Sequence, residues 1–419
     1  MDVHSRKVSL SITRWRHGRD PVERKRICTT LDSLEQTYIK HVPPGSLSVL
    51  EASGNSFSVA GRLRAAGYKV EVLASDTLSG MSRADRVNDR IDAYNLSRAY
   101  ARGIVRKVDV PDQVHLEWRD LWFGYRNAVK DCTRLSNRIW GYCSGHGFKL
   151  PSRSRTSKIT SIRAEAARRG WSATALFNLE MLIGQYSNSL ELRDRYQSQI
   201  EQTVAGNSDM TRLMQILGIR FVTAFALAAF IGDISRFPSS GKLVSYIGLN
   251  PRIEDSGEHK SRRTVSSFGR SDLKALMIEA AQSSLRTGSE PMHKWARHLA
   301  ASCKHRNVVV CALARKMVCY VWHILMKHPA PATQPSDSFK RKLFKLAGRL
   351  GKEKLRELGY TSSAEYVEAV CAQGMPAAAA CAALPGRSPA RERARVPCKG
   401  RSAGTCKKPN PQSAKRHKL

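Results

Sequence analysis

No run in this sequence approaches 18 apolar residues. The longest, around "FVTAFALAAFI" at 221–231, has the length of a core helix, so a membrane span is not expected. Residues 1–27 hold no apolar stretch of the kind a secretory leader needs, which makes the cytoplasm the expected compartment. Ten cysteines are scattered along the chain, but none forms a C-x-x-C pair and no histidine stands at finger spacing, so a zinc site is set aside. Cys311 and Cys319, inside the apolar run "NVVVCALARKMVCYVWHIL", read as buried reduced thiols and not as a disulfide framework. No internal repeat is evident. Acid is the last shortage: 35 Asp and Glu stand against 70 Lys and Arg, a formal net charge of +35. Such an excess implies a polyanionic partner, and nucleic acid is the default one.

What is present divides along the chain. Residues 1–111 read as α/β: "VSLSI", "SLSVLEA" and "YKVEVLA" have strand character, "LDSLEQTYIKHV" and "SVAGRLRAAG" are helix-periodic, and such alternation argues for a sheet with helices packed on it. Residues 112–205 carry two long helix-periodic stretches joined by the basic loop "HGFKLPSRSRTSKITSIR". They read either as a coiled-coil-like arm offering a dimer contact or as a helical hairpin packed within one chain. Residues 206–330 form a second, mainly helical compact region. Residues 331–372 read as a charged helical extension, and 373–419 as a disordered basic tail.

Against the basic background, "DRVNDRIDAYN" at 85–95 gathers three aspartates. On a helix, Asp85, Asp89 and Asp92 fall within about 60° of one another, opposite Val87, Ile91 and Tyr94. Taken alone they are a solvated face, ion-paired with Arg83, Arg86 and Arg90. Two further carboxylates change the weighting: Asp2 at the head of the first strand and Glu51 at the end of "SLSVLE". Groups at strand ends and on an adjoining helix can converge, and a pair of Mg²⁺ ions needs such a set of hard oxygen ligands.

A second stretch, "GLNPRIEDSGEHKSRRTVSSFGRSDLKALMIEAA", places Ser256 beside Gly257 in a polar loop with Lys260, Arg262 and Arg263, a turn at Gly269, and Lys274 near the start of the next helix. A Ser-Gly pair in a loop is most often only a turn. Its other reading is a nucleophile whose phosphate target is held by the neighbouring cations, with His259 as a base. Trp118, Trp122 and Trp140 on the arm suit a packing stripe better than base stacking.

These residues carry a resemblance. Asp2, Glu51, Asp89 and Asp92 match the DEDD pattern of the insertion-sequence 110/1111 family of transposases, and "VLEASGNSFSVAGRLRAAGYKVEVL" is similar to that family's block around the second acid. Asp85 lies outside the motif. "LGIRFVTAFALAAFIGDISRFPSSGKLVSYIGLNPRIEDSG" resembles the C-terminal transposase domain of the same family, with its serine at Ser256. The resemblance implies a RuvC-like, RNase H-like N-terminal domain and two Mg²⁺ ions on Asp2, Glu51, Asp89 and Asp92. It also implies Ser256 as the nucleophile in a composite site and a covalent phosphoserine intermediate. The implied partners are DNA at element ends and target, a structured bridge RNA, and further copies of the chain in a dimer or tetramer. "LGIRFVTAFALAAF" resembles a helix-hairpin-helix turn that grips phosphate; its usual second glycine is Arg220 here, whose side chain could itself reach a phosphate. A related invertase or junction resolvase, or a catalytically inactive nucleic-acid-binding relative, are the alternatives.

Overall fold

The computed structural model describes residues 1–4, 6–16, 19–75, 89–148, 157–251, 255–256, 259–260, 268–288, 291–302, 305–327 and 336–372. The N-terminal region is mixed α/β with open sheets, and the remainder is largely helical. Strands β1 (Asp2–Val3), β2 (Lys7–Arg14) and β3 (Val22–Thr30) form one antiparallel sheet, with Asp2 opposite Ser9 and Val3 opposite Val8. A second sheet holds β4 (Leu47–Glu51), β5 (Lys69–Leu73) parallel to it, and β6 (Lys107–Val108) antiparallel to β5. The helix Ser56–Ala65 is the crossover that a parallel pair requires. The Met1 amino group donates to Val49 O at 2.7 Å, so the two sheets meet along β1 and β4. Beneath both, Val3, Val8, Leu10, Leu50, Val70 and Val72 pack against Leu34, Tyr38, Val59 and Leu63 of the two covering helices.

Two sequence expectations are corrected here. "VSLSI" belongs to the second strand, because the chain turns between Val3 and Lys7 and puts Asp2 on a short strand of its own. The strand Val22–Thr30 was not anticipated: its run of Glu23, Arg24, Lys25 and Arg26 hides the alternation, as suits a sheet edge that faces water. The helix Asp89–Ala101 crosses the face opposite the core, against β1, β2 and β4, with Leu96 packed on Val49 and Leu73.

The helices Gln113–Gly145 and Ala173–Ala205, 33 residues each and about 50 Å long, lie antiparallel. Gly124 meets the ring of Tyr196 at one end, while Ile139 and Cys143 meet Leu179 and Ile183 at the other. The expected basic loop between them contains a third helix, Ser157–Arg168, whose Ile162 and Ala166 close a small core at the tip. Trp122 is buried in the main core and Trp118 packs against it, as a packing stripe would.

The C-terminal helices gather around Phe221–Ile231, which is buried from Ala224 to its end. The helix Arg306–Leu325, broken by Arg315 and Lys316 and so not an uninterrupted apolar run, has a mean hydropathy of 1.7 over 18 residues and is, among the described residues, the one helix long and apolar enough to cross a membrane. Its Val309, Val310, Leu313, Ala314, Met317, Val318 and Val321 are all in the core, which accounts for that composition. The helices Asp337–Glu357 and Ser363–Ala372 complete the same core through Phe339, Leu343, Leu346, Tyr366 and Val370. Asp85, Arg262, Arg263 and the 373–419 tail lie outside the described residues.

Candidate active site

Strand alternation decides where the first two carboxylates stand. Val3 and Leu50 point into the core, so their neighbours Asp2 and Glu51 take the other sheet face. That is the face crossed by the helix Asp89–Ala101, since Val49, two residues before Glu51, and Leu73, its partner across the ladder, both pack on Leu96. Both carboxylates are half-buried, and the Asp2 side chain keeps 13% exposure. They act on one neighbour: burial pulls the Met1 amino group down to about 5, against the opposing pull of Asp2 and Glu51. His4 Nε2 lies 3.0 Å from Asp2 Oδ2, a partner that sequence reasoning missed and that only the turn between β1 and β2 creates.

Asp89 and Asp92 occupy the first and fourth positions of the crossing helix. The next residue, Ala93, is buried and lines a cavity of about 300 Å³ together with Met1, Leu10 and Val49. The backbone bearing the aspartates thus begins beside the strands bearing Asp2 and Glu51. Among the described residues no group of three or more metal-ligating side chains assembles; the side chains of Asp89 and Asp92 are not among those described.

Ser256 belongs to the helical region. Residues 255–256 and 259–260 form a short antiparallel ladder, β7 and β8, in which Ser256 stands opposite His259 and Asp255 opposite Lys260. The base of this loop is clamped by glycine. Gly248 closes the helix Ser240–Ile247 at φ +83, and a side chain on it would collide with Phe268 O. Gly269, at φ +100, would bring a methyl within 2.6 Å of Gly248. The amide of Arg270 donates to Tyr246 O at 3.0 Å, sealing the two ends together.

The clamp rests on a cluster of arginines. Arg119 donates to Ala229 O and Phe230 O, Arg236 to Ile231 O and Phe230 O, and the Tyr246 hydroxyl to Phe230 O, so the C-terminal carbonyls of Phe221–Ile231 are all met. Arg270 lies 3.9 Å over the Phe230 ring and pairs with buried Asp272 at 3.0 Å. Burial works to raise the Asp272 carboxyl, but Arg270, the Leu273 amide and the Arg126 charge prevail and hold it below the ordinary range. Sequence reasoning missed these arginines, because an arginine near a glycine turn carries no signal of which carbonyl it will reach. Arg220 ends the turn after Gly218 in an extended conformation that needs no glycine, and its side chain is exposed.

The family described as "Transposase IS116/IS110/IS902 family" matches residues 210–296, the segment holding Arg220, the glycine clamp and Ser256. A "Probable family 20 transposase" of Pseudomonas aeruginosa is 26% identical over 294 residues, 69% of this chain and 86% of that protein. The "Transposase for insertion sequence element IS1111A" of Coxiella burnetii is 25% identical over 67% of this chain and 77% of its own length. The "Transposase for insertion sequence element IS1328" of Yersinia enterocolitica is 23% identical over 68% and 85%. The chain is therefore distantly related, over part of its length and at low identity, to the IS110/IS1111-family transposases.

Proposed function

We propose that the chain is a DNA transposase that cuts and rejoins strands at the ends of a mobile element, using Asp2, Glu51, Asp89, Asp92 and Ser256. One observation carries the reading: Asp2 and Glu51 lie on the same side of the two abutting sheets, and the helix beginning with Asp89 and Asp92 lies across that side. An N-terminal strand order of this kind is consistent with an RNase H-like domain. Half-buried carboxylates that are neighbours suit a hard divalent cation, so the four acids would hold Mg²⁺. Bound there, a pair of Mg²⁺ ions would supply charge neutralisation at the reacting phosphate.

In this reading the Ser256 hydroxyl oxygen forms a bond to a backbone phosphorus while the bond to the leaving deoxyribose oxygen breaks. The serine proton passes to a base, for which His259 stands opposite in register, and the leaving oxygen is protonated. Attack by a hydroxyl of the second strand on the phosphoserine then reverses the exchange and frees Ser256. Lys260, Arg262, Arg263 and Arg220 hold phosphates. Sequence choice belongs to a bridge RNA paired with target and donor, while the protein reads backbone and shape. Synapsis of two duplexes calls for two or four copies.

The test is an excision assay in cells with the DNA that flanks the gene. Ser256→Ala, Glu51→Gln and Asp92→Ala should each reduce recombination by about 10²-fold or more. A protein–DNA adduct that survives denaturation should form with the unaltered chain and vanish with Ser256→Ala. Recombination that persists in both Ser256→Ala and Asp92→Ala would overturn the assignment.

A further inference from the structure

The helix Asp337–Glu357 has an apolar face spent on the core, through Phe339, Leu343, Leu346 and Ala347. Its other face borders a cavity of about 900 Å³ whose opposite walls are the turn from Leu217 to Phe221 and the end of the helix Ser271–Thr287. Among the described residues, Arg220, Arg341, Lys342 and Lys345 line it against Asp337 as the one acid, and Ser283, Thr287 and Ser338 add hydroxyls. A second cavity of about 640 Å³ shares Gly218, Arg220, Phe221 and Lys345 with the first, so a single groove passes on both sides of the turn. This second part carries Arg126 and Arg349, tied to Asp272 and Glu201, and the exposed acid Glu279.

Which cations are free decides what the groove can take. Lys342 donates to Met214 O and Ile216 O at 2.7 and 2.8 Å, a strut that fixes the helix to the turn. Arg220 and Lys345 are exposed and, among the described residues, have no carboxylate partner; Arg341 bonds to the backbone oxygen of Asp337. Gly218 holds the turn against the helix behind it, since any side chain there would strike Ala280 O. Three uncompensated cations on two rigid elements repel one another, and an anion that runs between them removes the repulsion.

From this geometry we infer that the groove seats a phosphodiester backbone, with Arg341 and Lys345 as one wall and Arg220 as the other. A polymer fits better than a compact anion, because the cations are spread along a channel that continues past the turn. The groove deepens the nucleic-acid-acting reading without depending on its chemistry, and binding can fail while cleavage is untested, or the reverse.

The experiment uses the full chain, a 40-base-pair duplex DNA of arbitrary sequence and a structured RNA of similar length, with anisotropy titrations across a range of salt. The double variant Arg341→Ala/Lys345→Ala should weaken binding about tenfold at moderate salt and make the slope of log affinity against log salt shallower by about 2. The charge-keeping double variant Arg341→Lys/Lys345→Arg should restore both. Lys340→Ala/Lys352→Ala removes equal charge from exposed positions outside the groove, one on the same helix and one just past the kink at Gly351, and should change both far less. Which probe loses affinity identifies the strand that lies there; losses no greater than the control pair with both probes would overturn the proposal. Ser256→Ala should bind as the unaltered chain does, which separates this test from the catalytic one.

Discussion

Gly248 and Gly269 show how much of a site can rest on residues without side chains. Both sit at positive φ and their backbones touch, so the loop bearing Ser256 leaves and re-enters the fold at one point. Gly248→Ala combines left-handed strain with a collision against Phe268 O, and should cost about 2 kcal/mol or more of stability. Thermal unfolding should register that loss, and recombination should fall as well. Ser256→Ala, by contrast, should leave the unfolding curve in place. His293 offers a second residue-scale test. It is fully buried, and burial, helped by the Arg297 charge, lowers it from 6.5 to about 4. The unfolded chain therefore binds this proton first as the pH drops. Stability associated with His293 is full above about pH 6.5, declines as the pH falls toward 4, and totals at most about 3 kcal/mol. Denaturant unfolding of His293→Gln should show a flatter pH dependence across that window than the unaltered chain. At this scale a turn at Gly269 was legible from a glycine between polar and helical stretches. Its contact with Gly248 was not, since nothing local announces which backbone will approach another from 21 residues away.

Elements were legible where burial is one-sided and regular. The strands Leu47–Glu51 and Lys69–Leu73 announce themselves by alternation, and Glu51 as the last residue of its strand follows from them. The strand Val22–Thr30 and the helix Ser157–Arg168 were hidden for one reason: both are exposed and basic, and tertiary contacts select their conformation where hydrophobic period does not. The pairing of the C-terminal carbonyls of Phe221–Ile231 with Arg119 and Arg236 lies equally beyond sequence, because Arg119 reaches them from a helix 110 residues earlier. The last two turns of this helix, from Ala224 to Ile231, carry no polar side chain to satisfy its end, so these guanidinium groups do it. Arg119→Ala would leave Ala229 O and part of Phe230 O to buried surroundings, and should destabilise by about 2 kcal/mol in denaturant titrations. Arg119→Lys, with one compact donor group in place of the fork, should recover only part of that loss.

For the whole molecule, the excess of positive charge is distributed unevenly between the described residues and the segment that follows them. Within the described residues many arginines are already committed: Arg62 to Glu35, Arg102 to Asp20, Arg163 to Glu180, and Arg236 to Asp109, the last joining the segment after β6 to the C-terminal helices. The segment 373–419 contributes eleven Lys and Arg against one Glu. On charge alone a segment of that composition should raise affinity for any nucleic acid equally, whereas the groove beside Arg220 and Lys345 should act through its shape as well as its charge. A chain ending at Ala372 should accordingly lose affinity for duplex DNA at low salt and show a shallower salt dependence, with the same thermal unfolding, because the core closes at Val370. The groove variants should lower affinity further in that shortened chain, and by the same factor as in the full one, since sites that share no contact contribute additively. A factor that grows when the tail is gone would mean that the tail occupies the groove itself, and competition titrations with a peptide of residues 373–419 would then displace the DNA.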